Sequence, residues 1–473
     1  MDREALLALD KPALVELVLE LQRANAVLTA RVAELEARLA ALESPPKTPT
    51  NSSVPPSQAR KPSRAERRRK QRRPKRGHAG ASRPRAVPDA VLSLPKDRVS
   101  SDHLPRVRGA AAARGPAADP STALRTRSQV EELPVLRTVV IEVLRYQAAC
   151  ANCGQRTAAE PPAWFAPHAT FGPRVDALLA YLHETHHVSY ERLVELCRDV
   201  LGLRLSEGAI ANALGRVATR AGPTVARIRE QVRASPVINS DETGARVDGD
   251  NRYHWVFQTP TASYHLVAQT KGAAVIAEFL GDHRPEVWGS DCAPAQLGSP
   301  AAEHQICLSH QIRDLTYADE ADGEVGARWA RNLRHVFGRA IRLHRERAGL
   351  APATFVRRWT LIVNAAQRLV FRTWAGDGEA GKLQRRYVKR WPDLFVFLER
   401  EGVEPTNNGS ERDLRPAVMH RKMTGGYRSE AGAERGGIFA TVLATARKTG
   451  QNRFETLCHI TGPSPLAAAH HAT

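Results

Sequence analysis

The sequence predicts an α/β core interrupted by a helical insertion, with a coiled coil and a second helical region ahead of it. Three observations predict this. Leucines recur every seven residues near the N-terminus. From Pro236, short apolar and aromatic runs follow in the order three strands, a helix, a strand and more helix. Residues 320–400 carry Leu, Ala and Arg at helical spacing with no clear strand.

The leucine repeat is Leu14, Leu21, Leu28, Leu35 and Leu42, and four residues after the first four stand Val18, Asn25, Val32 and Leu39. This is a d/a seam with one polar a residue, Asn25, which costs stability and favours a parallel, in-register pair. Arg31 and Arg38 fall at g and Glu36 and Glu43 at the following e, so in a parallel dimer Arg31 meets Glu36 of the partner copy and Arg38 meets Glu43. The competing reading is an amphipathic helix packed on its own chain.

Residues 44–58 are rich in proline and small polar residues and read as a linker. Residues 59–86 hold 13 Lys or Arg against one acid, so they carry +12 of the formal +19. So dense a run repels itself, stays extended and seeks a polyanion. Release of counter-ions makes nucleic acid the expected partner, with Arg67, Arg68, Arg69, Lys70, Arg72 and Arg73 at its centre. No apolar run approaches the ~18 residues that span a bilayer, and the first residues lack a signal-peptide core. No membrane partner and a cytoplasmic, nucleoid-associated location are therefore expected. Six cysteines in 473 residues make no disulfide framework.

The stretch LRTVVIEVLRYQAA reads as a strand leading into Cys150-x-x-Cys153, half of a zinc site. No cysteine precedes Cys150, and His103 is a speculative further ligand. Helices are expected over Arg174–His186, Tyr190–Leu201 and, capped by Ser206, through Arg216. Short helices joined at Gly202 suggest a helix-turn-helix. His183-Glu184-Thr185-His186-His187 also matches HExxH, a metalloprotease pattern. Three fixed positions make a cheap match in a His-rich chain.

Beyond Pro236, SPVINSDETG ends an apolar run on acids. RYHWVFQT and SYHLVAQT read as a hairpin, residues 272–281 as a helix, and EVWGSDC as a short strand that again ends on an acid. EHQICLSH leads into a helix. Another helix opens at Glu404-Pro405-Thr406-Asn407-Asn408, then a Gly-rich loop and a last helix from about Phe439. Asp241 and Asp291 close strands, and acids at adjacent strand ends can converge. Their oxygens are hard ligands suited to Mg²⁺ or Mn²⁺. A third acid from a helix, Glu411, would complete a two-ion site for phosphoryl transfer. Asn408 with Glu411 also fits a capping box, and Glu242, Asp248, Glu404 and Asp413 are rivals. Cys307-x-x-His310 reads as structural, since zinc would need two further ligands.

SDETGARVDG, CLSHQIRDL, EPTNNGSERDLRP and RKMTGGYRSEAGA resemble the motifs of the insertion sequence 66 family of transposases, as does the zipper followed by PTNSSVPPS and a basic arm. The resemblance covers most of the chain and is weakest over residues 87–145. It implies a ribonuclease-H-like catalytic domain with Asp241, Asp291 and Glu411 as its acids, two Mg²⁺ or Mn²⁺ ions, and cleavage at transposon ends followed by strand transfer. Arg412, Arg415, Arg421, Lys422 and Arg428 would then neutralise phosphates. It also implies two thiolate pairs for zinc, of which this chain has Cys150 and Cys153. DNA, a homodimer or higher oligomer through the coiled coil, and accessory proteins of the same element are the partners expected. The alternatives are an inactive, transposase-derived DNA-binding protein and an HExxH zinc protease. The expected divisions are a coiled coil (1–43), linker and basic arm (44–86), a small β/zinc-ribbon-like region (87–165), a helical DNA-binding region (166–234), the first catalytic part (235–318), the helical insertion (319–402), catalytic helices with the basic Gly-rich loop (403–460) and a tail (461–473).

Overall fold

The computed structural model describes residues 10–43, 45–48, 51, 131–133, 136, 138–160, 165 and 170–465. The central basic residues Arg67, Arg68, Arg69, Lys70, Arg72 and Arg73, and His103, lie outside them. The chain divides into two units, Met1–Lys61 with Val139–Thr473, and Pro62–Thr138. The described residues of the second form no helix or strand.

The first unit is mixed α/β. It opens with α1 (Lys11–Glu43), whose side chains at Val18, Leu21, Leu28, Val32 and Leu35 are exposed, so they are not packed on their own chain. Arg31 pairs with Glu34 on its own helix at 2.5 Å. The proline-rich segment after α1 docks locally. Asn51 accepts hydrogen bonds from the backbone N–H and hydroxyl of Thr48, and its amide donates to Glu320. The strand expected over residues 136–149 shrinks to β1 (Gln147–Ala149), paired with β2 (Arg156–Ala158). Val139, Val140 and Leu144 before it are exposed, and only these two strands make up the sheet.

Three helices follow: α2 (Pro173–His186), α3 (Tyr190–Leu201) and α4 (Glu207–Arg233). Ser206 caps α4 by accepting from the Ala209 N–H. α4 runs well past Arg216, through Pro223, because its apolar stripe stays buried as far as Val232.

The sheet contains β3 (Val237–Val247), β4 (Asp250–Gln258), β5 (Ser263–Ala268), β6 (Val287–Ser290) and β7 (Glu303–Ile306), in the order β5-β4-β3-β6-β7. β3, β4 and β5 are antiparallel, and β6 and β7 run parallel to β3. The β3–β4 turn has two residues, Asp248 and Gly249, both at positive φ, which matches the right-handed strand twist. Parallel pairing of β3 and β6 needs a crossover, supplied by α5 (Ala273–Leu280). Phe279 of α5 stacks on Phe257 of β4 at 4.0 Å, and Trp288 of β6 packs edge-on to Phe257. β7 was not expected. Its four residues show no alternation because it is paired at one edge and covered by the insertion.

After β6 comes the single turn α6 (Pro294–Leu297), and after β7 comes α7 (Leu308–Ala321). The insertion is helical as expected: α8 (Glu324–Glu346), α9 (Pro352–Gln367), α10 (Glu379–Lys389) and α11 (Val396–Glu399). Trp329, Phe337, Tyr387 and Phe397 share a core with Val287 and Ile306, so the insertion is packed on the parallel edge of the sheet. The chain closes with α12 (Asn408–Thr424), α13 (Glu430–Lys448) and α14 (Arg453–Thr461). α13 begins nine residues before Phe439, so most of the expected Gly-rich loop is helix. A Cβ at Gly436 would lie 2.4 Å from the Tyr427 hydroxyl, so glycine here serves close packing rather than loop freedom. α13 and α14 share the core of α2–α4 through Phe439, Val442 and Leu457.

Candidate active site

Asp241 stands in β3, which is paired in parallel with β6 up to Asn239 and Gly289. Two residues further along that register, Asp241 comes level with Asp291, just past the end of β6. Side chains two apart share a face and paired strands lie about 4.8 Å apart, so the two carboxylates are neighbours. Gly289 permits this approach, since a Cβ there would sit 2.0 Å from Asn239 Oδ1.

The electrostatics agree. Burial raises Asp241 well above the usual carboxylate range, and the charges of Asp291, Glu242 and Glu411 raise it further. The Glu242 N–H, donating to Asp241 Oδ1 at 2.9 Å, works against them. Asp291 is oriented by the Ala293 N–H, which donates to its Oδ1 at 2.9 Å. Glu242 is also raised, chiefly by burial, while the amide of Gln296 donates to it at 2.8 Å. Gln296, fully buried, accepts in turn from the Trp288 indole.

Glu411 sits in the first turn of α12, which is pinned beside β3. The side chain of Asn407 donates to the Ser240 carbonyl at 2.8 Å and accepts from Ser410 Oγ at 2.6 Å. The Asn407 N–H donates to Cys307 Sγ at 3.0 Å. The N-cap is thus Asn407, not Asn408, and Glu411 does not close a capping box. Its carboxylate instead faces α7, 3.4 Å from Arg313 Nη2 and 3.6 Å from His310 Nε2. Cys307 is buried, which pushes its thiol up to about 11. Burial and Arg313 lower His310. Gln296, Asn407 and Arg313 were given no role from the sequence: Arg313 and Asn407 stand inside quoted motifs, but which side chains they reach depends on the packing of α7, α12 and β3.

Asp241 and Asp291 are hard oxygen donors side by side, an arrangement that suits a hard divalent cation. The third acid is near enough for Asp241 to feel its charge, but it is turned to Arg313 and His310. Among the described residues, no three or more His, Cys, Asp and Glu side chains are gathered closely enough to hold a metal ion as they stand. The rivals have other roles. Asp413 is buried in an ion cluster with Arg447 and Lys448. Asp248 is a turn residue, and Glu404 lies 3.8 Å from His344. Arg412, Arg415, Lys422 and Arg428 are exposed, while Arg421 reaches back to Gly244 of β3. Arg415 and Lys422 follow Glu411 by four and eleven residues, on its face of α12.

Cys150 and Cys153 are exposed at the β1–β2 turn. N–H groups of Asn152 and Cys153 lower the Cys150 thiol. No zinc set is completed around them among the described residues.

The HExxH segment fails on geometry. α2 ends at His186, and His187 takes a left-handed conformation with φ 56°. His183 and His187 both face the His420 ring, with centroids 6.3 and 6.0 Å away, yet no group of three or more His, Cys, Asp and Glu able to hold a metal is formed among the described residues. His183 Nδ1 is taken by the Val188 carbonyl at 2.8 Å. Glu184 is raised to about 8 by burial, with Arg435 opposing. Between the ordinary 4.5 and about 8, the folded chain keeps a proton that the unfolded chain has lost. The unfolded state then binds fewer protons, so stability falls as pH rises through this window. Glu184→Gln is expected to remove that fall, on the order of a few kcal/mol. Denaturant midpoints of both proteins across the window check it, and identical slopes would dismiss the buried, protonated Glu184.

No helix among the described residues is long and apolar enough to cross a membrane. No curated protein matches the chain. The family model described as the transposase IS66 family matches residues 168–435, more than half of the chain, running from α2 through the paired aspartates to the start of α13. The chain therefore belongs to the transposase IS66 family.

Proposed function

We propose that this chain is a DNA transposase that cuts and joins DNA at the ends of its element, using Asp241, Asp291 and Glu411 on a ribonuclease-H-like sheet. The observation that carries this reading is the register of β3 and β6, which brings Asp241 level with Asp291, where burial first and the Asp291 charge next raise Asp241. These acids would hold two divalent cations, Mg²⁺ or Mn²⁺. When bound, the ions supply activation of the attacking oxygen and stabilisation of the leaving one. Asp241 and Asp291 fix the position on the sheet, and Glu411, which here faces Arg313 and His310, would supply the third carboxylate. Arg415 and Lys422 hold backbone phosphates beside the acids, and the basic arm and α2–α4 grip the DNA further off. The test is to incubate the purified chain with duplexes bearing the element's ends. Nicked and joined products that require Mg²⁺ support the reading. Binding without any metal-dependent product points to an inactive DNA-binding relative.

The exposed seam of α1 is proposed to pair two copies in parallel, so that two element ends are held together. Leu21→Ala with Leu28→Ala should convert the dimer to monomer, each truncation costing about 2–5 kcal/mol of the paired state. Sedimentation equilibrium reads this directly, and an unchanged mass would remove α1 from the interface.

A further inference from the structure

We infer that the outer face of α8, carrying Arg328, Arg331, His335, Arg339 and Arg342, is a docking surface for the backbone of duplex DNA. The inference rests on the transposase reading and assigns the insertion a role within it.

These five residues are spaced three, four, four and three apart, so at 100° per residue they fall in one narrow stripe. All five are exposed. The opposite face, Ala330, Leu333, Phe337 and Ala340, is buried in the insertion core, which holds the stripe outward on a rigid support. From Arg328 to Arg342 the stripe is about 21 Å long, enough to follow several phosphates of a duplex. Like charges three and four apart oppose helix formation. Yet Arg328, Arg339 and Arg342 have no carboxylate partner among the described residues. One acid, the exposed Glu324 of the first turn, lies on the same face four residues before Arg328, and the next three are already paired. Asp319 pairs with Arg331 and Arg334, Glu346 pairs with Arg358, and Glu320 accepts from Asn51.

The Asn51–Glu320 hydrogen bond takes up one further acid beside α8. It ties the segment before the basic arm to α7, the helix directly preceding α8, and Lys47 lies over the Tyr317 ring of α7 at 4.8 Å. A long polyanion is the partner that a row of exposed cations about 21 Å long satisfies.

The test is fluorescence anisotropy of a labelled linear duplex of arbitrary sequence, titrated with the full chain over a series of KCl concentrations. Arg328→Gln, Arg339→Gln and Arg342→Gln are each compared with wild type and with Arg400→Gln, which removes an exposed charge already paired with Glu303. Each stripe variant should reduce the slope of log affinity against log salt by about 0.9, while Arg400→Gln leaves it unchanged. Circular dichroism confirms that the single variants keep their helices. Slopes equal to wild type in all three folded variants overturn the inference, as does an equal drop for Arg400→Gln. If wild type binds and joins DNA but the stripe variants bind with its slope, only the α8 surface falls. If wild type neither binds nor joins DNA, the transposase reading falls with it.

Discussion

Replacing Asp241 with Asn should reduce metal-dependent cleavage and joining by about a thousand-fold or more, while duplex binding stays at the wild-type level. The amide preserves shape but removes the negative charge that a divalent ion needs. Burial and the fields of Asp291, Glu242 and Glu411 already press Asp241 to hold a proton in the metal-free protein. Asparagine relieves that pressure, so the melting temperature without metal should hold or rise. In wild type, Mg²⁺ should raise it, and in Asp241→Asn that increment should shrink. The pair of readouts separates a lost ligand from a damaged fold. Undiminished joining by the variant would falsify the role of Asp241.

Asp413→Ala should destabilise the fold by about 3 kcal/mol or more. Asp413 lies two residues after Glu411, and a reader of the sequence alone could exchange them. The fold separates them. Asp413 is buried, accepts from Ser263 and Arg447, and lies 3.2 Å from Lys448 Nζ. It joins α12 to β5 and to the end of α13. Truncation would leave the largely buried Lys448 cation without its carboxylate, the expensive way to break an internal ion pair. Domains are stable by only about 5–15 kcal/mol, so the loss is large. Denaturant unfolding measures it. An Asp413→Ala protein of normal stability but without activity would place Asp413, rather than Glu411, in the chemistry.

Local patterns made much of the architecture legible. Aromatic and branched residues marked β4 and β5, helical spacing marked α2, α3 and α8–α10, and acids closing apolar runs pointed to Asp241 and Asp291. Each signal is carried by neighbours in the chain, where backbone period and side-chain polarity act together. β7 gave no such signal, because a short strand at a covered edge needs no alternation. The helical start of α13 was hidden by its glycines, of which Gly436 makes room for the Tyr427 ring and Gly437 for the backbone of β5 at His265 and Leu266.

By itself, then, the chain's order of residues determined most of the secondary elements, the heptad seam, the charged arm and which acids were candidates, since these depend on short-range period and composition. Only the tertiary structure decided that β3 and β6 run side by side with Asp241 level with Asp291, that Asp413 is sealed into an ion cluster, that Glu411 faces Arg313, and that α8 turns an arginine stripe outward. Those outcomes depend on strand register and helix packing between residues up to 150 positions apart, and no local pattern encodes such distances.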